Sequence, residues 1–332
     1  MPRLLPILRT ALCTVLLLIF ALIPLTGCAD PAPTNSDTTI SIVTTTGMIT
    51  DLTKRIAGDQ AIVHGLMGAG IDPHLYQPTR SDIRSLILAD MVFYSGLHLE
   101  GKMVDAFERI AQITTVVAVT DSLDRAMLFS PPAFDGHYDP HVWMDPIAWK
   151  QSAIVIHDTL VEYDPAGQGT YDTNLADLII ELDALHTYAD RVLGSIPKDQ
   201  RVLVTAHDAF GYFGQRYGFE VVGIQGISTQ SEAGVRDIER IVDLLVTRNI
   251  PAVFVETTVS ERNIRALIAG AQNRGHTVSI GGSLFSDAMG EEGTYEGTYI
   301  GMIDHNITLI ARALGADAPE RGMQGKLAEI EP

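Results

Sequence analysis

The sequence predicts an α/β protein of two lobes, each with a four-stranded parallel sheet flanked by helices, joined by one long helix. First, the 332 residues are 46% apolar and 19% charged, a globular composition long enough for two cores. Second, short β-rich runs alternate with helical stretches in both halves. Third, a long amphipathic pattern separates the two sets of runs. Together these observations predict an N-terminal lobe over 40–167, a connecting helix over 168–196 and a C-terminal lobe over 197–332.

Residues 1–27 have the composition of a signal peptide that directs export. Arg3 and Arg9 supply positive charge, and the apolar run 11–23 ends before Pro24. A run of this length fits a signal peptide and is shorter than the ~20 residues that a membrane-spanning helix needs. The protein is therefore expected to act outside the cytoplasm.

The stretch LTGC at 25–28 resembles the lipobox of bacterial lipoproteins, in which the cysteine is lipidated. The alternative is an incidental cysteine near an ordinary cleavage site. Cys13 and Cys28 are the only cysteines, so the cleaved chain could form no internal disulfide, which is unusual for an exported protein. Cys28 is therefore predicted to anchor the chain to the bacterial cell membrane. Residues 28–39, small, polar and proline-containing, are predicted to be the tether.

The charge balance narrows the range of partners. The formal net charge is −18 at pH 7. Such an acidic chain is a poor match for nucleic acid or for a basic membrane-binding face, and it suits a protein that meets cations. An acidic surface that only confers solubility is the simpler explanation of this net charge.

The strand pattern indicates where ligands should bind. The predicted strands are 40–45, 61–67, 91–95, 116–119, 202–206, 220–224, 252–256 and 277–280. A turn at Gly281 and Gly282 is expected after the last of them. Because open parallel sheets bind ligands at the carboxyl ends of their strands, the loops that follow these runs are the candidate sites.

The connecting helix is predicted from apolar residues at three- and four-residue steps. They are Leu175, Leu178, Ile179, Leu182, Leu185, Ala189, Val192 and Leu193. Pro165 and Gly167 precede the pattern, and Gly194 and Pro197 follow it. A surface helix of a single larger sheet is the alternative to a helix that joins two lobes.

Four potential metal ligands lie in or beside these loops. His74 follows the second predicted strand, His207 follows the fifth directly, and Asp287 follows the last. His141 lies in a loop before the helix expected near Pro146. They are far apart in sequence and lack the spacing of a zinc finger, so only the fold could assemble them in a cleft between the lobes.

Three imidazoles and a carboxylate are suitable ligands for zinc, and the oxygen also tolerates manganese. Asp72 and Asp139 precede prolines in two Asp-Pro-His frames and are expected to cap their own turns, or else to orient the neighbouring imidazole. Glu256 ends a strand and is expected to accept a hydrogen bond from a ligating histidine, or else to be a fifth neighbour of the metal. Taken singly, each histidine could be an ordinary polar or core residue.

Several motifs resemble the metal-binding receptors of ABC importers, the TroA-type and ZnuA-type (adhesin-type) lipoproteins. The resemblance extends over the mature chain: SIVTTTGMITDL at 41–52, DPHLYQPT at 72–79, DPHVWMDP at 139–146, TAHDAFGYFG at 205–214 and IGGSLFSDAMG at 280–290. It implies that His74, His141, His207 and Asp287 are the metal ligands, and that the connecting helix is rigid.

The resemblance also implies cargo and partners. Zinc and manganese both stay open, with iron less favoured, and zinc should bind more tightly at almost any such site. The expected partners are an ABC permease with its ATPase, and the membrane through the lipid on Cys28; the chain is expected to be a monomer that is not an enzyme. The alternatives are an exported zinc-dependent hydrolase, with Glu256 as general base, and a surface adhesin.

Overall fold

The computed structural model describes residues 39–131, 134 and 136–329. The predicted signal peptide and Cys28 lie outside the described residues. The strands are β1 (Ile40–Thr44), β2 (Ala61–Gly65), β3 (Met91–Tyr94), β4 (Thr115–Ala118), β5 (Val202–His207), β6 (Glu220–Gln225), β7 (Ala252–Glu256) and β8 (Ser279–Leu284). The helices are α1 (Gly47–Ala57), α2 (Arg80–Leu88), α3 (Val104–Ile110), α4 (Pro146–Tyr163), α5 (Gln168–Leu193), α6 (Gly211–Tyr217), α7 (Val235–Thr247), α8 (Arg262–Asn273) and α9 (Tyr299–Ala313). Within the described residues, no helix is both long and apolar enough to cross a membrane.

The N-terminal half contains one four-stranded parallel sheet in the order β2-β1-β3-β4. The central strand β1 is buried at Ile42 and Val43, because helices cover a parallel sheet on both faces. All four predicted strands of this half are present, each within one or two residues of the predicted bounds. Their carboxyl ends lie on one edge, and the loop that carries His74 follows β2.

The C-terminal half also has four parallel strands, but they form two hydrogen-bonded pairs, β5-β6 and β7-β8. Strand β5 lies beside β7, with no backbone ladder between the two in the described chain. The predicted α/β class with two lobes is confirmed, and the sheet of the second lobe is divided.

The expected turn at Gly281 and Gly282 is wrong, since both glycines lie inside β8. The register shifts there, from Val253 opposite Ile280 to Phe254 opposite Gly282, so Gly281 is the extra residue of a bulge. Gly282 has φ +133°, and a Cβ at this position would lie 2.6 Å from Leu309 Cδ2. The glycines therefore let α9 approach the strand, a reason that their sequence neighbours do not reveal.

The connecting helix is confirmed as α5, which has 26 residues and ends at Leu193, with Gly194 as its C-cap. At 1.5 Å per residue it spans about 39 Å. It packs against α4, α1 and α9. The largest hydrophobic core includes Ile42 of the first sheet, Leu182 of α5 and Ile303 of α9. Because this core is shared by both halves, a large hinge motion would expose apolar surface. The boundaries at 167 and 197 stay a prediction.

Candidate metal centre

The structure brings the four predicted residues to one buried point. His207 is the last residue of β5, and Asp287 lies three residues after β8. His141 precedes the short 3-10 turn Val142–Met144 that leads into α4. His74 lies in the loop between β2 and α2. All four side chains are buried, and each offers one ligand atom within 4.8 Å of the others.

The potential donor atoms of the four side chains lie close enough together to share one ion. His74 Nε2 lies 3.3 Å from His141 Nε2 and 3.6 Å from Asp287 Oδ2. Asp287 Oδ1 lies 3.3 Å from His141 Nε2, and Asp287 Oδ2 lies 3.3 Å from His207 Nε2. A tetrahedral ion with bonds of about 2.0–2.2 Å places its ligand atoms about 3.3–3.6 Å apart. These four distances fit a first-row divalent ion, and the remaining pairs of donor atoms lie within 4.8 Å.

Three of these atoms have no hydrogen-bond partner in the described protein. They are His207 Nε2 and both carboxylate oxygens of Asp287. The oxygens are at ion-pair distance from the imidazoles but are not aligned with them as hydrogen bonds. Buried polar atoms left without a partner are costly, so atoms that converge on one point indicate a ligand there.

Two carboxylates orient two of the imidazoles. Glu256, the last residue of β7, accepts from the backbone N–H of His207 at 2.8 Å and also bonds His207 Nδ1. Asp139 Oδ1 accepts from the backbone N–H of His141 at 2.9 Å and lies 2.7 Å from His141 Nδ1. Each Nδ1 is thereby occupied, and each Nε2 is turned toward the common point.

Asp72 and Asp139 were expected to cap their own turns or to orient the neighbouring imidazole, and the two residues differ in this respect. Asp72 Oδ1 accepts from the backbone N–H of His74 at 2.8 Å and so caps its turn. Asp139 caps its own turn and also contacts the imidazole ring. The sequence predicts a capped turn at both positions, but the direction of the His141 ring, which brings Nδ1 to Asp139, cannot be predicted from the local motif.

The pKa values of the three histidines differ. Burial lowers the pKa of His74 to about 3. Burial opposes the charge of His141 too, but the Asp139 carboxylate, aided by Asp287, outweighs burial and raises the pKa to about 9. For His207, the Glu256 and Asp287 carboxylates likewise outweigh burial and hold the pKa well above 6.5. A cation that enters this site must therefore displace protons.

The ion pairs with His141 and His207 also favour the charged form of Asp287. Burial alone would raise the pKa of this carboxyl, but the imidazoliums of His207 and His141 hold it well below 3.8. A carboxylate therefore faces the centre at every physiological pH. With Asp139 and Glu256 behind the imidazoles, the site is surrounded by negative charge and favours a cation.

Known proteins are similar to this chain over most of its length. A family model described as ZnuA, zinc-uptake complex component A, periplasmic, matches residues 42–313. The chain is 44% identical over 298 residues to the manganese-binding lipoprotein MntA of Bacillus subtilis (strain 168), covering 89% of this chain and 97% of that protein. It is also 44% identical over 273 residues to the zinc-binding protein TroA of Treponema pallidum (strain Nichols), covering 82% and 88%.

The solved structure of the periplasmic zinc-binding protein TroA from Treponema pallidum superimposes with a TM-score of 0.81 at 43% identity. The match covers 83% of this chain and 99% of that one. The predictions of an extracytoplasmic receptor and of a protein that is not an enzyme are confirmed by these relatives. The chain therefore belongs to the ZnuA family, whose members are metal-binding receptors of ABC importers.

Proposed function

We propose that this protein binds one divalent metal ion, zinc or manganese, through His74, His141, His207 and Asp287, and delivers it to an ABC permease. One observation carries the proposal: four buried side chains direct donor atoms at a point where His207 Nε2 and both Asp287 oxygens lack a protein partner. All the ligands come from the protein, so no position is reserved for a reacting water. This favours capture over catalysis.

The donor set supports both metals. Three imidazole nitrogens suit zinc, and the two Asp287 oxygens allow the higher coordination number that manganese accepts. The relatives named for manganese and for zinc are equally identical to this chain, so similarity does not separate the two. Zinc should bind more tightly in isolation, and metal supply then decides the cargo. Iron is the less favoured cargo.

We propose that a lipid on Cys28 holds the receptor, as a monomer, beside its permease. The tether from Cys28 to residue 39 can reach at most about 40 Å when it is extended. The folded part could then dock on the permease without entering the membrane. The ATPase that powers transport would act from the opposite face.

His207→Ala should lower the metal content of protein purified from its native host to a small fraction of the wild-type level. The substitution removes one of three nitrogen donors from a buried site. Elemental analysis of both proteins measures the effect and also identifies the metal. His157→Ala is the matched control, because the His157 imidazole pairs with Asp172 between α4 and α5 and is not among the four clustered residues. Full metal content in His207→Ala would remove this residue from the ligand set.

Glu256→Gln should weaken metal binding about 10–100-fold, the usual effect of losing a carboxylate that orients a ligating histidine. The substitution keeps the size of the side chain but removes the charge that faces His207 Nδ1. Competition with a chelator measures the change. Glu220→Gln is the control, since Glu220 pairs with Arg248 at the surface. An unchanged affinity in Glu256→Gln would show that the negative charge of Glu256 is not needed for metal binding.

A further inference from the structure

We infer that the four donors divide into a fixed group of three and one movable ligand, His74, and that Thr229 and Gln230 are positioning residues that hold His74 in the closed site. The inference rests on the proposed function. In sequence, two ligands come from each half of the chain. In the structure, hydrogen bonds attach His141 to the C-terminal half as well.

The segment 139–146, here called the His141 segment, is bonded at both ends to helix α6 of the C-terminal half. Tyr212 Oη donates to the carbonyl of Asp139 at 2.9 Å. Arg216 forms a bidentate pair with Asp145, with Nη2 to Oδ2 at 2.6 Å and Nε to both oxygens at 2.9 Å. Asp145 is also the N-cap of α4. Bidentate Arg–carboxylate pairs fix orientation as well as distance.

The middle of the His141 segment is bonded to residues beside Asp287. Trp143 Nε1 donates to the carbonyl of Ser286 at 2.9 Å, and Ser286 directly precedes Asp287. Tyr299 Oη, at the start of α9, donates to the carbonyl of Trp143 at 2.7 Å. Trp143 and Tyr299 are fully buried, so competing water is excluded from these bonds. His141, His207 and Asp287 therefore belong to one rigid frame.

The loop that carries His74, residues 71–78 and here called the His74 elbow, is attached differently. Two of its apolar side chains are exposed, with Ile71 40% exposed and Leu75 45% exposed. On the N-terminal side, Lys102 Nζ donates to the carbonyl of Leu75 at 3.2 Å. Pro73 and His74 are buried, but the exposed Ile71 and Leu75 contribute little to holding the loop closed, so the loop should open at a lower free-energy cost than the frame does.

In the described chain, two hydrogen bonds join the His74 elbow to the C-terminal half. Thr229 Oγ1 donates to Asp72 Oδ2 at 2.6 Å, and the other oxygen of Asp72 accepts from the backbone N–H of His74. Gln230 Nε2 donates to the carbonyl of His74 at 3.2 Å. Both bonds therefore act on the backbone of His74. They close the elbow over the site without contacting the metal position.

The hydrogen bonds from Thr229 and Gln230 should affect the rate of metal release more than the rate of metal binding. A metal that meets the three fixed donors can bind before the elbow closes, whereas it leaves only after the elbow opens. A hydrogen bond to a charged group is stronger than one between neutral groups. Loss of the Thr229 bond to Asp72 should therefore speed release by about tenfold or more and leave the association rate nearly unchanged.

The test is stopped-flow measurement of metal release from the full chain, loaded with Zn²⁺ and, separately, with Mn²⁺, into excess EDTA. Thr229→Val keeps the shape but lacks the donor, so it should release metal about tenfold faster. Thr229→Ser restores the hydroxyl and should release at nearly the wild-type rate. Thr173→Val removes a hydroxyl that bonds the Gly169 carbonyl on the exposed face of α5 and should match wild type. Gln230→Met is a second, independent variant that should also release faster.

The outcomes separate the two proposals. Wild-type release rates in Thr229→Val and Gln230→Met, with metal still bound, would overturn the role of these residues and leave the proposed function intact. Equally fast release from Thr229→Ser and Thr229→Val would also overturn it, because the hydroxyl would then not be the cause. A wild-type chain that binds neither metal would refute the proposed function itself.

Discussion

Asp287→Asn is expected to lower metal affinity by more than the roughly 100-fold that loss of an orienting partner can cost. Asp287 is the single anionic donor, and its two oxygens face all three imidazoles at 3.3–3.6 Å. An amide of the same shape keeps one oxygen donor but removes the negative charge. The remaining site would then consist of imidazoles that repel a cation whenever they are protonated. Calorimetric titration of the metal-free protein measures the affinity.

The same substitution should alter the protein without metal. In the metal-free site, Asp287 balances the imidazoliums of His141 and His207, and breaking a buried pair by removing one partner costs about 3–5 kcal/mol unless protons leave. Thermal unfolding at pH 6 and pH 8 should show the larger loss at pH 6, where both imidazoles are charged. Asp183→Asn, at an exposed position on α5, is the control. Tight metal binding by Asp287→Asn would remove the carboxylate from the ligand set.

Metal affinity is expected to fall steeply as pH is lowered from 8 to 6. A ligating imidazole must be neutral at Nε2, so each imidazolium must lose a proton before it binds. The pKa of His141 is about 9, so below that pH its deprotonation costs a factor of ten per pH unit. The pKa of His207 is raised above 6.5 as well, so a second proton steepens the fall toward 100-fold per unit. His74, with a pKa of about 3, adds nothing in this range.

Calorimetry in buffers of different ionisation enthalpy should detect the release of about one to two protons per metal at pH 7. Asp139→Asn provides the matched variant, because the Asp139 carboxylate is the main group that raises the pKa of His141. Its affinity should depend less steeply on pH than that of the wild type. An affinity that is constant from pH 8 to 6, with no proton release, would exclude histidine ligation.

Much of this architecture could be predicted because its signals are local. The strands β1 to β7 follow runs of β-branched residues, and α5 follows an apolar repeat with glycine and proline at its ends. The last strand was predicted at 277–280 but lies at Ser279–Leu284, so the prediction overlaps only its first two residues. Gly281 and Gly282 look like a turn in sequence, and only the approach of Leu309 explains why a strand needs them.

The candidate ligands were also accessible from sequence, through loops that follow strands and through the resemblance of their motifs. The residues that form hydrogen bonds with those ligands or with their loops could be predicted only in part. Glu256 ends a strand beside His207, so an orienting role could be anticipated, and the structure shows the bond. Thr229 gave no such signal, because its partner Asp72 lies 157 residues away in the sequence.

The sequence alone determined the chemical types of the donors, the order of the strands and helices, and the rigid Asp-Pro-His turns, because these depend on side-chain identity and on neighbours within a few residues. Tertiary structure decided which half of the molecule holds each donor. His141 precedes α4 in the chain, yet Tyr212, Arg216 and Tyr299 bind its segment to the C-terminal half. Hydrogen bonds act over about 3 Å, so residues far apart in sequence can be paired only after the chain has folded.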